Sequence, residues 1–370
     1  MSLRRLAVQY IRNIESASMC LAPGINLISG NNGSGKTSLL ESIYFLGSAR
    51  SFRSAGVESL INRDAGYCMV RGELVNGQEL IVQRQRRGAQ VLRVSGQPVM
   101  RTSELAQYLP VLLLSPDTVN LLLGGPALRR RFLNWGVFHV EQSPGEEQMF
   151  SSLWAKAVRS LRQRNETLRK PRPDLTELDV WSREFARFSE AIDERRSHYM
   201  APFIECYLNN CQKFMERNDI SVEYQRGWEG ELAEILAKDV DQDIKRGYTH
   251  KGFQRADVKI RIKGDDVARV CSRGELKILA WTLVISQGDL LDTDLVYLVD
   301  ELMAELDTQH RKKICHHLEG CNRQVIATGI DAEELATCWD VVDPKIFHVD
   351  QGIVEEKCRP ICDSRGSGHC

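Results

Sequence analysis

The 370-residue chain has no apolar run near the ~20 residues that a membrane-spanning helix needs; Val111–Leu114 and residues 121–123 are far too short. It begins Met1-Ser2-Leu3-Arg4-Arg5-Leu6 and lacks a following apolar stretch of signal-peptide length, so a cytoplasmic location is expected. Excess charge is missing too. Lys and Arg number 49 against 50 Asp and Glu, a net charge of −1. Nucleic-acid contact therefore cannot rest on bulk basicity and needs a local cationic patch. The 11 cysteines lack any repeating spacing and read as reduced thiols rather than a disulfide framework. Cys358, Cys362, His369 and Cys370 fall short of a zinc-ligand pattern, and residues 357–370 are expected to form a polar, disordered tail. There is no internal repeat and no long heptad arm.

What is present belongs to an ordinary globular chain, 42% apolar and 27% charged. Residues 6–10, 16–21 and 25–29 read as short strands. Residues 68–75 and 79–84 flank Asn76-Gly77, a strong hairpin signal, and residues 91–94 and 97–99 flank Ser95-Gly96 in the same way. From about 125 to 217 the pattern is helical. Trp181, Phe185, Phe188, Ile192, Tyr199, Phe203 and Cys206 fall on one helix face, with Pro202 expected to kink or interrupt it. Pro171 and Pro173 separate that helix from a basic one over 151–170, which predicts an antiparallel pair. Residues 257–262 return to a strand pattern, and helix alternates with strand beyond them.

Gly30-Asn31-Asn32-Gly33-Ser34-Gly35-Lys36-Thr37 matches G-x-x-x-x-G-K-[ST] in full, after an apolar strand and before a helical stretch that opens with Ser38. Glycines let successive backbone N–H groups surround phosphate oxygens, Lys36 adds a point charge for the β- and γ-phosphates, and the Thr37 hydroxyl suits Mg²⁺. A chance glycine-rich turn would not come with strand, Lys-Thr and helix together. Residues 295–299 form a continuous apolar run ending in Asp300-Glu301, where open α/β sheets bind ligands. Asp300 is assigned to Mg²⁺, with Lys36 and Glu301 completing the catalytic set, Glu301 orienting the attacking water. A strand ending in a polar turn would look the same by itself, but not beside a P-loop.

Two readings stay open for Ser272-Arg273-Gly274-Glu275. One is a capping box at a helix start. The other resembles an ATP-binding-cassette (ABC) signature, in which Ser272 and Gly274 contact the γ-phosphate held by another subunit. The two are compatible, since a capped helix end is also an anion site. Ala304-Glu305-Leu306-Asp307 likewise resembles the D-loop of ABC-type ATPases or is a helix cap at Asp307. Thr328-Gly329 stands where transporter ATPases usually carry a switch histidine, and no histidine is there.

From Met1 to about Glu356 the order of features resembles the RecF family. The resemblance rests on Tyr10-Ile-Arg12-Asn13, on residues 31–38, on Ile43-Tyr-Phe-Leu-Gly47 and Ser51-Phe-Arg53, and on Leu114-Ser-Pro-Asp117. Residues 124–133, Gln163-Arg-Asn165 and Ser272-Arg-Gly274 extend it. Asn134 stands where the family often has Asp, Glu275 where Gln is common, and Gly252-Phe-Gln-Arg255 where Gly-Pro-His-Arg is usual, so no role is assigned to Gln254. The resemblance implies an α/β fold: an ABC-type P-loop ATPase head with an antiparallel β subdomain, from residues 1–125 and 250–356, and an inserted, mainly helical lobe, 126–249. It implies Arg12 and Asn13 beside the nucleotide and ATP with Mg²⁺ between two heads, giving an ATP-dependent homodimer opened by slow hydrolysis. It also implies binding to DNA gaps and single–double-strand junctions without sequence specificity, and work with RecR and RecO to help load RecA. Lys156, Arg159, Arg162, Arg164, Arg169, Lys170 and Arg172, with Arg84, Arg86, Arg87 and Arg129–Arg131, are the candidate phosphate contacts. A solvated helix face would look alike. An ABC transporter-like ATPase subunit and a small-molecule kinase are the alternatives; both leave the basic helical insert unexplained.

Overall fold

A computed structural model of the chain describes residues 2–54, 56–140, 149–341 and 344–357. Residues 358–370, and with them the Cys358, Cys362, His369 and Cys370 grouping, lie outside the described residues. The chain opens with strands β1 (Leu3–Ile11), β2 (Ile14–Cys20) and β3 (Ile25–Ser29), then helix α1 (Lys36–Ser48). Strands β4 (Tyr67–Leu74), β5 (Glu79–Gln85), β6 (Gln90–Val94) and β7 (Gln97–Pro98), helix α2 (Thr102–Tyr108) and strand β8 (Val111–Leu114) follow. Next come α3 (Asn120–Leu123), α4 (Pro126–Val140), α5 (Phe150–Leu168) and α6 (Leu175–Met215), then β9 (Ile220–Gln225), α7 (Leu232–Lys238) and α8 (Val240–Arg246). This stretch ends with β10 (Asp257–Ile262), β11 (Asp265–Asp266), α9 (Val267–Val270) and α10 (Arg273–Asp289). The chain closes on β12 (Val296–Val299), α11 (Leu302–Glu305), α12 (Thr308–Gly320), β13 (Gln324–Gly329), α13 (Ala332–Ala336), β14 (Lys345–Asp350) and β15 (Ile353–Lys357).

By contact the chain forms two compact units, one holding residues up to Pro116 and from Thr293 onward, the other Asp117–Asp292. The first is a two-sheet head. β2-β1-β4-β5-β6-β7 is antiparallel and built from the expected hairpins, and its strands alternate buried and exposed residues, as a sheet with one wet face should. The second sheet has the order β15-β14-β3-β13-β12-β8, parallel except for β15. Every residue of β3 and β12 is buried, the pattern of strands covered on both faces. Helix α1 packs on β1, β4 and β5 of one sheet and on β8 and β13 of the other, which is why Leu39, Leu40, Ile43, Phe45 and Leu46 are all buried.

The second unit places the expected antiparallel pair, α5 and α6, beside the small sheet β11-β10-β9. Arg164 Nε donates to Ser182 Oγ and Lys170 Nζ to Glu177, so partners run in opposite directions along the two helices. The expected interruption at Pro202 does not occur: α6 continues through it for 41 residues, because Tyr199, Met200, Phe203 and Tyr207 keep one buried face on both sides. The bounds also differ from those expected at 125 and 250. Residues 117–125 and 250–292 make their contacts in this unit, since β10 pairs with β9 and α10 packs on α6.

Several cations counted as phosphate contacts hold this unit together instead. Arg164 is fully buried and pairs with the equally buried Asp243 at 2.8 Å, and with Thr249 Oγ1 at 2.6 Å. Arg129 grips Asp257 through two bonds, 2.7 and 3.1 Å, and Arg130 donates to the Ala256 carbonyl. Asn134, the family departure, accepts two bonds from buried Arg196, and Gln254 donates to the carbonyls of Thr249 and Lys251. Removing one member of a buried ion pair strands the other. Arg164→Met should therefore cost about 3–5 kcal/mol. Urea unfolding followed by tryptophan fluorescence reads it, since Trp135, Trp154, Trp181, Trp228 and Trp281 all lie in this unit.

Candidate nucleotide site

The loop between β3 and α1 is shaped by its neighbours as much as by its own glycines. Gly30 has φ 151°, and a Cβ there would lie 2.2 Å from the Val349 carbonyl on β14, so only glycine fits. Gly352, in the β14–β15 turn at φ 84°, donates its N–H to the Ser34 carbonyl at 2.8 Å; a Cβ on it would meet Asn13 O at 2.5 Å. Asn13 completes the brace: its amide donates to Gly33 O at 3.1 Å, and its oxygen accepts from Ser38 Oγ at 2.9 Å. The Ser34 hydroxyl is buried and has no partner among the described residues. Asn31 and Asn32 are exposed, and Gly35 precedes the first turn of α1.

Lys36 is buried against the loop, its ammonium donating to the carbonyls of Gly30 (2.7 Å) and Asn31 (2.9 Å). Burial lowers its pKa, while the carboxylates of Asp300 and Glu301 pull the other way. Thr37 Oγ1 donates to Asp300 Oδ1 at 3.2 Å, closing the distance between two segments 263 residues apart. The sheet order explains how. β13 lies between β3 and β12, in register with both, so Thr328 near its end meets Asp300: Thr328 Oγ1 donates to Asp300 Oδ1 at 2.8 Å and accepts from Glu301 N–H at 2.9 Å. Asp300 is 5% exposed, and desolvation raises its carboxyl above the usual range against the lowering pull of both hydroxyls. Glu301 is exposed and holds a left-handed backbone, φ 54°, which is costly for a residue with a Cβ.

Of the residues singled out in sequence, Asn13 is bonded to Gly33 and Ser38, Lys36 to Gly30 and Asn31, and Thr37 to Asp300. Arg12 sits one step out: its guanidinium makes two 2.9 Å bonds to buried Glu41 of α1, and a 2.6 Å bond to Ser59 O. A cavity of about 550 Å³ is lined by Arg12, Asn13, Ser59, Asn62 and Arg86, among others. Asp307 is the N-cap of α12, accepting from the N–H groups of Gln309 and His310, each at 3.0 Å. Ser272 and Gly274 belong to the other unit, where the capping box is formed in full: Ser272 Oγ accepts from Glu275 N–H and Glu275 returns to Ser272 N–H. Thr328, Gly352 and Glu41 were not singled out as site residues. Of these, Thr328 drew notice only as the position where transporter ATPases usually carry a switch histidine.

A model described as RecF/RecN/SMC N terminal domain matches residues 2–355. The DNA replication and repair protein RecF of Pseudomonas entomophila is 39% identical over 367 residues, covering 96% of this chain and 98% of that protein. Its namesake from Pseudomonas aeruginosa is 38% identical with the same coverage. The chain belongs to the RecF family. Among solved structures, the recombination mediator protein RecF with ATP superposes with a TM-score of 0.84 at 24% identity, over 96% of this chain and 97% of that one. An Smc head bound to the C-winged helix domain of ScpA gives 0.56 at 16% identity, covering 98% and 99%. The fold is that of an ABC-type ATPase head as in RecF and SMC proteins. Among the described residues no helix is long and apolar enough to cross a membrane.

The raised carboxyl of Asp300 carries a sign that can be checked. A folded pKa above the unfolded value means that the ionised form weakens the fold, increasingly as pH rises through that pKa. Asp300→Asn keeps an oxygen for both threonine hydroxyls. It should raise the melting temperature of the nucleotide-free protein at pH 7, with the gain vanishing in acid where Asp300 is already protonated. Scanning calorimetry at both pH values tests this.

Proposed function

We propose that the chain is an ATP-dependent DNA-binding protein of recombinational gap repair and replication restart, a weak ATPase that works in the cytoplasm. One observation carries the nucleotide part: the Thr37–Asp300 hydrogen bond, which joins the end of a P-loop to the end of an acidic strand. Two hard oxygens held together at the mouth of a phosphate loop suit Mg²⁺. Bound there, Mg²⁺ would supply neutralising charge to the phosphates of ATP. The loop N–H groups and the unpartnered Ser34 hydroxyl fit phosphate oxygens, and Lys36 would exchange its carbonyl partners for the β- and γ-phosphates. The nucleoside would lie on the side of Arg12 and Asn13, which border a cavity. Glu301, exposed and aimed by its left-handed backbone, would orient the water that attacks the γ-phosphorus. The RecF relative solved with ATP supports that ligand.

Each head would hold ATP against Ser272, Gly274 and Asp307 of a second copy, so that ATP makes a homodimer clamp and hydrolysis releases it. DNA contact would fall to the cations left exposed, Lys156, Arg159, Arg162, Arg169, Lys170 and Arg172, with Arg87 and Arg131; such contacts give affinity without sequence reading. Recruitment of RecR and RecO and the loading of RecA, and the preference for gaps, follow from the family.

Gly274 offers a clean test of the two-copy site, because a Cβ there meets nothing within 4 Å among the described residues beyond its own helix backbone. Gly274→Ala should leave stability and ATP binding unchanged yet weaken ATP-driven dimerisation about tenfold or more, as seen by light scattering. Ser272→Ala should weaken dimerisation in the same way while costing about 1 kcal/mol of stability through the lost cap, whereas Lys36→Met should abolish nucleotide binding itself. A monomer of wild type at saturating ATP and Mg²⁺ would sink the clamp.

A further inference from the structure

Glu275 puts a carboxylate at the point where Ser272 is to meet a triphosphate. Its Oε2 accepts from both the backbone N–H and the hydroxyl of Ser272, each at 2.9 Å. If Ser272 Oγ touches a phosphate oxygen at ordinary hydrogen-bond distance, that carboxylate oxygen lies within about 5.5–6 Å of the phosphate. Hydrogen bonds from Ser272, helped by Arg217, hold the Glu275 carboxyl below its usual range, so it is ionised when the anion arrives. Two negative groups at this spacing repel strongly. Something must offset them.

The structure supplies a counter-charge. Arg217 Nη1 donates to Glu275 Oε1 at 2.7 Å, on the side away from the Ser272 bonds. Arg217 is itself held by a two-bond contact to Asp219, at 3.0 and 3.1 Å. It follows the left-handed cap Glu216 that ends α6 and precedes β9, so its place is fixed by two elements rather than by a free loop. Arg217 is 27% and Glu275 37% exposed, where water screens but does not erase the charge.

We propose that Arg217 is a positioning residue for the two-copy nucleotide contact: it offsets part of the Glu275 charge and turns the carboxylate back from the phosphate, so that Ser272 can reach the triphosphate on a second copy. This rests on the reading of Ser272 given above. Glu275→Gln removes the charge and keeps the cap, since glutamine also completes a capping box. The dependence on Arg217 should then disappear.

The test uses the full chain with ATP and Mg²⁺ and light scattering. Arg217→Ala should raise the ATP concentration for half-maximal dimerisation about tenfold while ATP binding to the isolated monomer stays at the wild-type level. Arg217→Ala/Glu275→Gln should return to within about twofold of wild type, a rescue that a purely structural arginine would not show. Glu275→Gln alone should dimerise at equal or lower ATP. A double variant as impaired as Arg217→Ala overturns the proposal. So does a Glu275→Gln that dimerises worse than wild type, a comparison that stands even where Arg217→Ala does not fold. Ser272→Ala separates the two ideas. If it dimerises normally, the two-copy contact itself is wrong and this inference falls with it; if it is impaired while Arg217→Ala is not, only the role of Arg217 is lost.

Discussion

The head depends on one buried carboxylate. Asp300 is expensive to keep ionised in the interior, and the protein meets that cost with two hydroxyls, Thr37 from the first turn of α1 and Thr328 from β13. Neither hydroxyl could arrive without the parallel order β3-β13-β12, which sets the carboxyl ends of three strands side by side. That order in turn needs strands buried on both faces. One is covered in part by α1, whose start is the phosphate loop. The same packing that makes the core therefore fixes the separation of Lys36, Thr37 and Asp300, and the site inherits its rigidity from the sheet.

A second constraint acts from the side. Gly30 presses on the Val349 carbonyl, and Gly352 on Asn13, so the loop is clamped between the β14–β15 turn and the corner after β1. Asn13 is bonded to both ends of the clamp, at Gly33 and Ser38. Gln324 makes a similar tie at the opposite end of β13, its amide bonding the backbone of Leu3 and of Ala22. These polar ties stitch the antiparallel sheet to the parallel one where hydrophobic contact alone would leave their register loose.

The phosphate loop, the acidic strand and both hairpins were legible in the sequence because each is a local pattern: glycines at fixed offsets, an apolar run with acids at its end, Asn-Gly or Ser-Gly between alternating residues. Thr328 was not, because its role comes from which strand lies between two others, and strand order is not written in any window. The cation clusters misled for the same reason. Arg164 finds Asp243 79 residues later and Arg129 finds Asp257 128 residues later, so a run of positive charge carried no sign of which members were already spent. Pro202 shows the opposite balance, since it does not end the helix. Its lost hydrogen bond is a local penalty, whereas the aromatic face of α6 is buried over its whole length, and burial outweighed it.

At Ser272 and Asp307 the cap that is formed and the ligand contact that is proposed need not compete. Each starts a helix, and each side chain satisfies N–H groups of its own first turn, Glu275 for one and Gln309 with His310 for the other. A helix start held this way keeps its N–H dipoles in place before any anion arrives, so little ordering is left to be done on binding. Both starts carry the cost of a carboxylate near the proposed triphosphate: at Asp307 it is the cap itself, and at Ser272 it closes the box and lies close to the serine oxygen. A neutral glutamine would avoid that cost, and an arginine held by its own aspartate is the other way to meet it. In the proposed two-copy contact that arginine is Arg217, 58 residues from Glu275.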